Sequence, residues 1–339
     1  MQLMVNSQHI RLLRCVFAGI LLVNSLFFFR LNAQDIYLSH FDAAPQYLNP
    51  SLAGQYFGER NDFRVNGNFS GQSFGSFSNQ YTTMALGYDF PVNKFGVGYF
   101  VINSRAGEGH YNILNLLVSG SYEISVDRRY RHNLLTGVQF GLMNHSFNQE
   151  KLFFANQYNP ATGGFDASQA SGENFNTTSL MMFDAGLGAL YDFRDRRKPF
   201  NPFLGFSIFH ATNPRLSFYD ADYFYPLRFT IYSGIGINLS EFFQLSPRFL
   251  IIHQGKKQNM DAGVFSFYRI PYTKYEMITG LLVNSNDNIT VHGGIKINNA
   301  QYRLSYGFNS FIEQQITTSR NMIELSVVFS KPSNVKASF

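Results

Sequence analysis

Between residue 60 and residue 330, apolar and polar side chains trade places at every second position, over runs too long for an ordinary soluble sheet. In "RNDFRVNGNFS", Phe63, Val65 and Phe69 share one face while Asp62, Arg64, Asn66 and Asn68 take the other. In "LMMFDAGLGALYDF", Met181, Phe183, Ala185, Leu187, Ala189, Tyr191 and Phe193 oppose Asp184, Gly186, Gly188 and Asp192. The charges decide what such a sheet faces. Asp62, Arg64, Asp89, Asp184, Asp192, Arg228, Lys296, Arg303 and Glu324 all fall opposite the apolar side. Strands of soluble domains average about 5 to 6 residues, whereas several runs here exceed the roughly 9 to 11 needed to cross a bilayer. Oily residues turned to lipid and polar ones to a lumen are the pattern of an outer-membrane barrel. Only 14% of residues are charged, against about 25% in soluble domains, so the chain needs a non-aqueous place for its apolar surface. Helices do not supply it: mean hydropathy is -0.13, and no apolar run after residue 33 reaches spanning length.

The expected fold is therefore all-β, a transmembrane antiparallel barrel of about 14 strands. Strand starts are placed near Arg60, Phe77, Lys94, His110, Asn133, Ser179, Pro202, Pro226, Phe243, Met260, Lys274, Asn288, Gln301 and Arg320. Connections after even-numbered strands are short ("PVNK", "DRRKP", "LSE", "PYT", "NNA"), while those after odd-numbered strands include Gln149 to Thr178 and Ala211 to Tyr225. Short periplasmic turns alternating with longer outside loops fit an even-stranded barrel with both ends in the periplasm.

Residues 1–33 read as a cleaved signal peptide: Arg11 and Arg14, the apolar stretch Val16 to Phe29, and a break after Ala33. Arg30 and Leu31 make the site imperfect, and a retained anchor helix is the competing reading. Removal of Arg11, Arg14 and Arg30 leaves 24 basic against 22 acidic residues, which argues against nucleic acid as a partner. Cys15, the only cysteine, goes with the leader. The expected organisation is 1–33 signal peptide, 34–59 N-terminal periplasmic or luminal segment, 60–330 barrel and 331–339 tail, in the outer membrane of a Gram-negative bacterium.

Past the leader stands "QDIYLSHFDAAPQYLNPSLAG", followed by "FRVNGNFSGQ" and "YTTMALGYDFP", then "FGVGYFVINSRAGEG", a central "KLFFANQ" and "GFSIFHATNP". This combination resembles the PorP/SprF family of outer-membrane proteins associated with type IX secretion and gliding in Bacteroidetes. The resemblance implies an accessory role: anchoring the secretion machinery, or supporting export and surface display of a partner adhesin, with periplasmic secretion subunits as partners. "GNFSGQSF" departs from the aromatic or Arg-rich run common there.

Two sites are expected. Pro45 and Pro50 rigidify an extended path, Asn49 favours a turn before Pro50, and Phe41, Tyr47 and Leu48 offer packing anchors, so the segment is read as a plug at the periplasmic mouth or in the lumen; an ordered lead-in to the first strand is the alternative. Arg128, Arg129 and Arg131 in one turn, with Arg194, Arg196, Arg197 and Lys198 in another, concentrate positive charge on one rim. That rim suits an acidic periplasmic partner, or else solvent and lipid head groups. No catalytic, metal or cofactor set is expected. "GQSFG" lacks the strand-to-helix elbow that gives G-x-S-x-G its meaning, and the histidines show no metal-ligand spacing. The runner-up function is a transport pore for small hydrophobic molecules.

Overall fold

The computed structural model describes residues 35–56, 61–74, 80–107, 110–127, 131–166, 168–173, 175–195, 197–219, 223–285, 288–309 and 320–332. The proposed leader and residues 333–339 lie outside them. The strands are β1 (Asn61–Phe74), β2 (Gln80–Val92), β3 (Phe95–Ala106), β4 (Tyr111–Ser125), β5 (His132–Ser146), β6 (Tyr158–Asn159), β7 (Gly164–Phe165), β8 (Ser179–Phe193), β9 (Phe200–Phe209), β10 (Arg228–Asn238), β11 (Phe243–Gln254), β12 (Lys257–Arg269), β13 (Tyr275–Asn284), β14 (Asn288–Ile297), β15 (Ala300–Asn309) and β16 (Arg320–Pro332).

All but β6 and β7 form one closed antiparallel barrel of fourteen strands, each paired with its sequence neighbours. Closure is made by β1 on β16, in register through Val65↔Phe329, Phe69↔Leu325 and Gly71↔Ile323. It leaves no strand edge to satisfy, which a sheet in hydrocarbon requires. Every anticipated strand start lies within three residues of the observed one. The β6–β7 ribbon inside the longest connection was not anticipated.

The facing follows the pattern read from the sequence. Leu86, Val118 and Leu187 are 60%, 48% and 53% exposed on the outer wall. Asp89, Asp184, Arg228, Arg303 and Glu324 are buried on the inner one.

The two ends differ. At one end β2–β3 and β14–β15 turn in two residues, with Asn93 and Asn298 at φ 58 and 52, the left-handed conformation such hairpins demand. At the other end the connections 147–178 and 210–227 are long, although β11 and β12 are joined there by Gly255 and Lys256 alone. Gly71 to Phe74 of "GQSFG" continue β1, and Gly75 lies outside the described residues.

Candidate functional site: a filled lumen

Fourteen strands lie between the roughly 8 of barrels filled by side chains and the 16 to 18 of open channels, and the interior is occupied by residues 35–56. The expected extended path is not what they adopt. They make a 3-10 turn (Phe41–Ala43), one α turn (Pro45–Leu48) and a second 3-10 turn (Pro50–Leu52). Pro45 and Pro50 each open a turn, where a missing N–H costs nothing and a fixed φ is already helical. Asn49 breaks the run between them: its Oδ1 accepts from the Ser51 N–H at 2.9 Å and the Ser51 hydroxyl at 2.8 Å. Its Nδ2 donates to the carbonyls of Ala189 and Phe206, each at 3.0 Å. One side chain thus caps a helical turn and ties it to β8 and β9.

The other anchors named from the sequence are dispersed over the wall. Leu48 packs with Leu52, Leu135, Leu190, Tyr232 and Leu250, with Phe41 against the same cluster. The Tyr47 ring lies 6.0 Å from that of Phe100 and carries the Arg228 guanidinium 4.5 Å above its centroid. The wall returns hydrogen bonds to the segment's backbone: Ser207 to the Leu48 carbonyl at 2.8 Å, Gln139 to that of Gln46 at 2.9 Å, and Ser121 to that of Ala53 at 2.6 Å. These matter because a helical turn this short leaves its last carbonyls unpaired, and a buried unpaired carbonyl costs about 1 to 3 kcal/mol.

Wall glycines make the room. A β-carbon built on Gly96 would overlap the Ala53 carbonyl, and one on Gly137 would overlap the Pro50–Ser51 peptide. Gly188, paired with Gly137 across β5 and β8, has no space beside Asn49 and Pro50.

Charge fixes the two ends of the segment's upper half. The Asp35 carboxylate meets Arg228 at 2.6 Å, His210 at 2.8 Å and the Tyr225 hydroxyl at 2.5 Å. Asp42 meets Arg248 at 2.6 Å and Arg303 at 2.7 Å. Lower down, Gln46 donates to Asp89 at 2.8 Å, and Asp89 in turn pairs with Arg64. Asp35, Asp42 and Gln46 were not singled out in the sequence. The signal was available: residues 34–56 carry two acids and no Lys or Arg, opposite inward-facing arginines.

Two small voids lie beside the segment. One of about 40 Å³ is lined by Asp35, Tyr37, Arg228, Gln254 and Lys257 among others. A second, of about 30 Å³ and mostly apolar, lies between Ile36, Phe41, Tyr47 and Leu250.

The basic rim is less free than its sequence suggested. Arg131 is engaged by Asp127 at 3.1 Å and Asp195 at 3.9 Å. Arg194 pairs with Asp192 and reaches Glu123 at 3.5 Å. Arg197 and Lys198 are exposed, while Arg128, Arg129 and Arg196 lie outside the described residues. Asp127 is held down to about 2, by the His132 backbone N–H first and then by Arg131. Among the described residues no group of three His, Cys, Asp or Glu is placed to hold a metal ion.

Residues 30–329 match the family described as "Type IX secretion system membrane protein PorP/SprF". No curated protein matches the chain. Among solved structures, the toluene transporter TbuX of Ralstonia pickettii is similar at a TM-score of 0.54 and 10% identity, over 86% of this chain and 93% of that one. The toluene transporter TodX of Pseudomonas putida is similar at 0.48 and 8%, over 88% and 94%. At 10% identity the likeness to TbuX is one of fold.

Proposed function

Because the chain belongs to the PorP/SprF family of type IX secretion membrane proteins, we propose that it serves that machinery as a non-enzymatic outer-membrane barrel, acting through protein contacts and not through flux. It anchors periplasmic subunits of the machinery or supports export and display of a surface adhesin. The observation that supports this reading is the lumen: residues 35–56 lie within it, hydrogen-bonded to wall strands around the circumference, and on our reading they plug it, so that the useful surfaces are the two rims. On the short-turn rim, exposed Arg197 and Lys198 offer charge to an acidic partner, since Arg131 and Arg194 are already compensated by carboxylates.

The competing reading is a pore for small hydrophobic molecules, favoured by the fold shared with a toluene transporter. Size argues against it in the plugged state. A dry cavity that accepts benzene measures roughly 150 Å³, and the apolar void here is about 30 Å³.

Mild crosslinking in cells followed by pull-down, alongside toluene flux into vesicles bearing the purified barrel, separates the two. Recovery of a specific secretion subunit or adhesin, with no flux above empty vesicles, is the expected result. Flux with no partner recovered reverses the assignment.

A further inference from the structure

Closure covers both edges of a strand only as far as its shorter neighbour runs. β8 pairs with β5 along its whole length, from Ser146↔Ser179 to His132↔Phe193, but with β9 only from Leu187↔Ile208 to Asp192↔Phe203. Since β9 ends at Phe209, Ser179 to Ala185 run on with no wall strand on that side. The ten residues of β9 already have the roughly 9 to 11 that cross hydrocarbon, which puts the overhang beyond the lipid core, where an open edge is permitted. Successive residues turn their backbone groups to opposite edges. The Thr178 carbonyl accepts from Phe147 on the β5 side and that of Ala185 from Ala211 on the β9 side, so Met181 and Phe183 also present theirs to the β9 side. The chain beyond β9 covers little of them. After Ala211 bonds Ala185 at 2.9 Å and the Thr212 hydroxyl bonds the Phe183 carbonyl at 2.9 Å, Asn213, at φ 48, helps turn it away. It then pairs with itself through Arg215↔Phe224 and lays Leu216 and Tyr225 on Met143 and Met182 inside the mouth. Among the described residues, none bonds the Met181 N–H and C=O or the Phe183 N–H on this edge.

Natural proteins blunt open edges with Lys, Pro, a bulge or a covering group. A second overhang at this end, Lys257 to Met260 of β12 beyond Asn284 of β13, is treated that way. It starts with a lysine, and Ser285 bonds both the N–H and the C=O of Met260, at 3.0 and 2.7 Å. β8 instead offers "SLMMF", with no charge and no proline. Met181 and Phe183, two positions apart on the outer face, are 73% and 54% exposed.

We infer that the open edge of β8 is a strand-acceptor site at the long-connection mouth: an exported protein docks by adding an extended segment beside Met181 and Phe183, apolar at alternate residues and basic at its flanks. Main-chain hydrogen bonds give such a contact its affinity, and alternate side chains give it selectivity. The basic flanks follow from the surroundings. Connections 147–178 and 210–227 carry five acidic residues against Lys151 and Arg215. They meet beside the start of β8, where the Asn176 N–H donates to the Phe218 carbonyl at 3.1 Å and the Phe175 ring lies 4.8 Å from that of Tyr219. A second copy is a poor occupant. Upright in the same membrane, it offers its own β8 only in parallel, the weaker pairing, and sets like charge against like. That the partner is exported rests on the secretion reading, which the site deepens.

The test titrates the purified barrel in lipid nanodiscs with a synthetic peptide of alternating Thr and Val, flanked by lysines. In the free protein the amides of Met181 and Phe183 should exchange with deuterium faster than those of Leu180 and Met182, which face β5, and bound peptide should protect the first pair. Met181→Pro deletes an N–H that no wall strand uses, and should weaken binding about tenfold, the worth of one or two hydrogen bonds. Met181→Lys should weaken it by charge with the backbone untouched. On the unaltered barrel, the same peptide N-methylated along one edge should fail, and a glutamate-flanked version should bind several-fold more weakly. Binding indifferent to N-methylation and to Met181→Pro, or no protection at Met181, overturns the inference, and the peptide controls decide even if a variant misfolds. Recovery of an exported partner by pull-down, with no peptide engaging β8, makes the edge alone wrong. Peptide engaging β8, with toluene flux and no partner recovered, overturns the secretion reading and leaves the acceptor edge standing.

Discussion

Gly188 of β8 lies directly against Asn49, so closely that a β-carbon on the glycine would overlap the carboxamide oxygen and stand 2.9 Å from Cδ of Pro50. The same carboxamide caps the Pro50 turn and bonds two wall carbonyls, so the contact is where plug folding and plug docking meet.

Gly188→Val should displace the plug. Overpacking of this kind costs about 1 to 3 kcal/mol, read as a lower midpoint in heat-dependent gel mobility and as new single-channel openings in planar bilayers. Gly293→Ala is the control: nothing lies within 4 Å of a β-carbon there, and the change should stay within about 0.5 kcal/mol. Equal effects at the two positions would remove the steric argument.

Arg303→Gln looks mild if the lumen is water-filled. In the folded barrel Arg303 is 3% exposed and 2.7 Å from Asp42. Removing one partner of a fully buried pair costs about 3 to 5 kcal/mol; with Asp42 30% exposed and Arg248 still on it, a loss of about 1 to 3 kcal/mol is expected, and the double change Asp42→Asn with Arg303→Gln should cost less than the sum of the two single changes. Additive losses would mean the pair does not couple.

Leu187→Lys, on the lipid face, should cost about 2 to 4 kcal/mol near mid-membrane, measured by urea refolding into vesicles. Thr162→Lys, in the long connection, should be neutral. Comparable tolerance would place Leu187 away from lipid.

Deleting residues 36–53 tests occlusion. Wild-type protein should show no steady conductance, and the deletion should conduct, because the walls around the segment are held apart by fourteen paired strands. Unchanged conductance would leave the segment as a mere lead-in.

The turn before β5 carries a pH signature. Asp127 has its folded value depressed, so the stability it contributes is complete above the ordinary carboxylate range near 3.8 and disappears as pH falls through about 2. The thermal midpoint difference between wild type and Asp127→Asn should be constant from pH 7 to about 5 and shrink in stronger acid. A difference that grows on acidification would give the linkage the wrong sign.

The barrel was legible because lipid enforces a rule that each strand obeys by itself: Leu86, Val118 and Leu187 announce the outer face without reference to any other strand. Plug geometry is a different kind of information. Pro45, Asn49 and Pro50 mark irregular backbone, but local sequence does not say that two prolines open helical turns in place of an extended path. Nor does it say that Asp35 meets Arg228, 193 residues away. That pairing depends on which strands close around the segment, and only charge balance hinted at it: two acids and no base in the segment, arginines pointing inward on β10, β11 and β15. The pairing of Arg131 and Arg194 was hidden for a related reason, since the carboxylates that meet them sit partly on neighbouring turns and strands.

Only four residues separate Tyr56, the lower end of the plug, from Asn61, where the wall begins. Stopper and vessel are therefore one molecule on a short leash, and recapture after an excursion is unimolecular, governed by a local concentration in the millimolar range. Reclosing times should be indifferent to how many copies share the membrane.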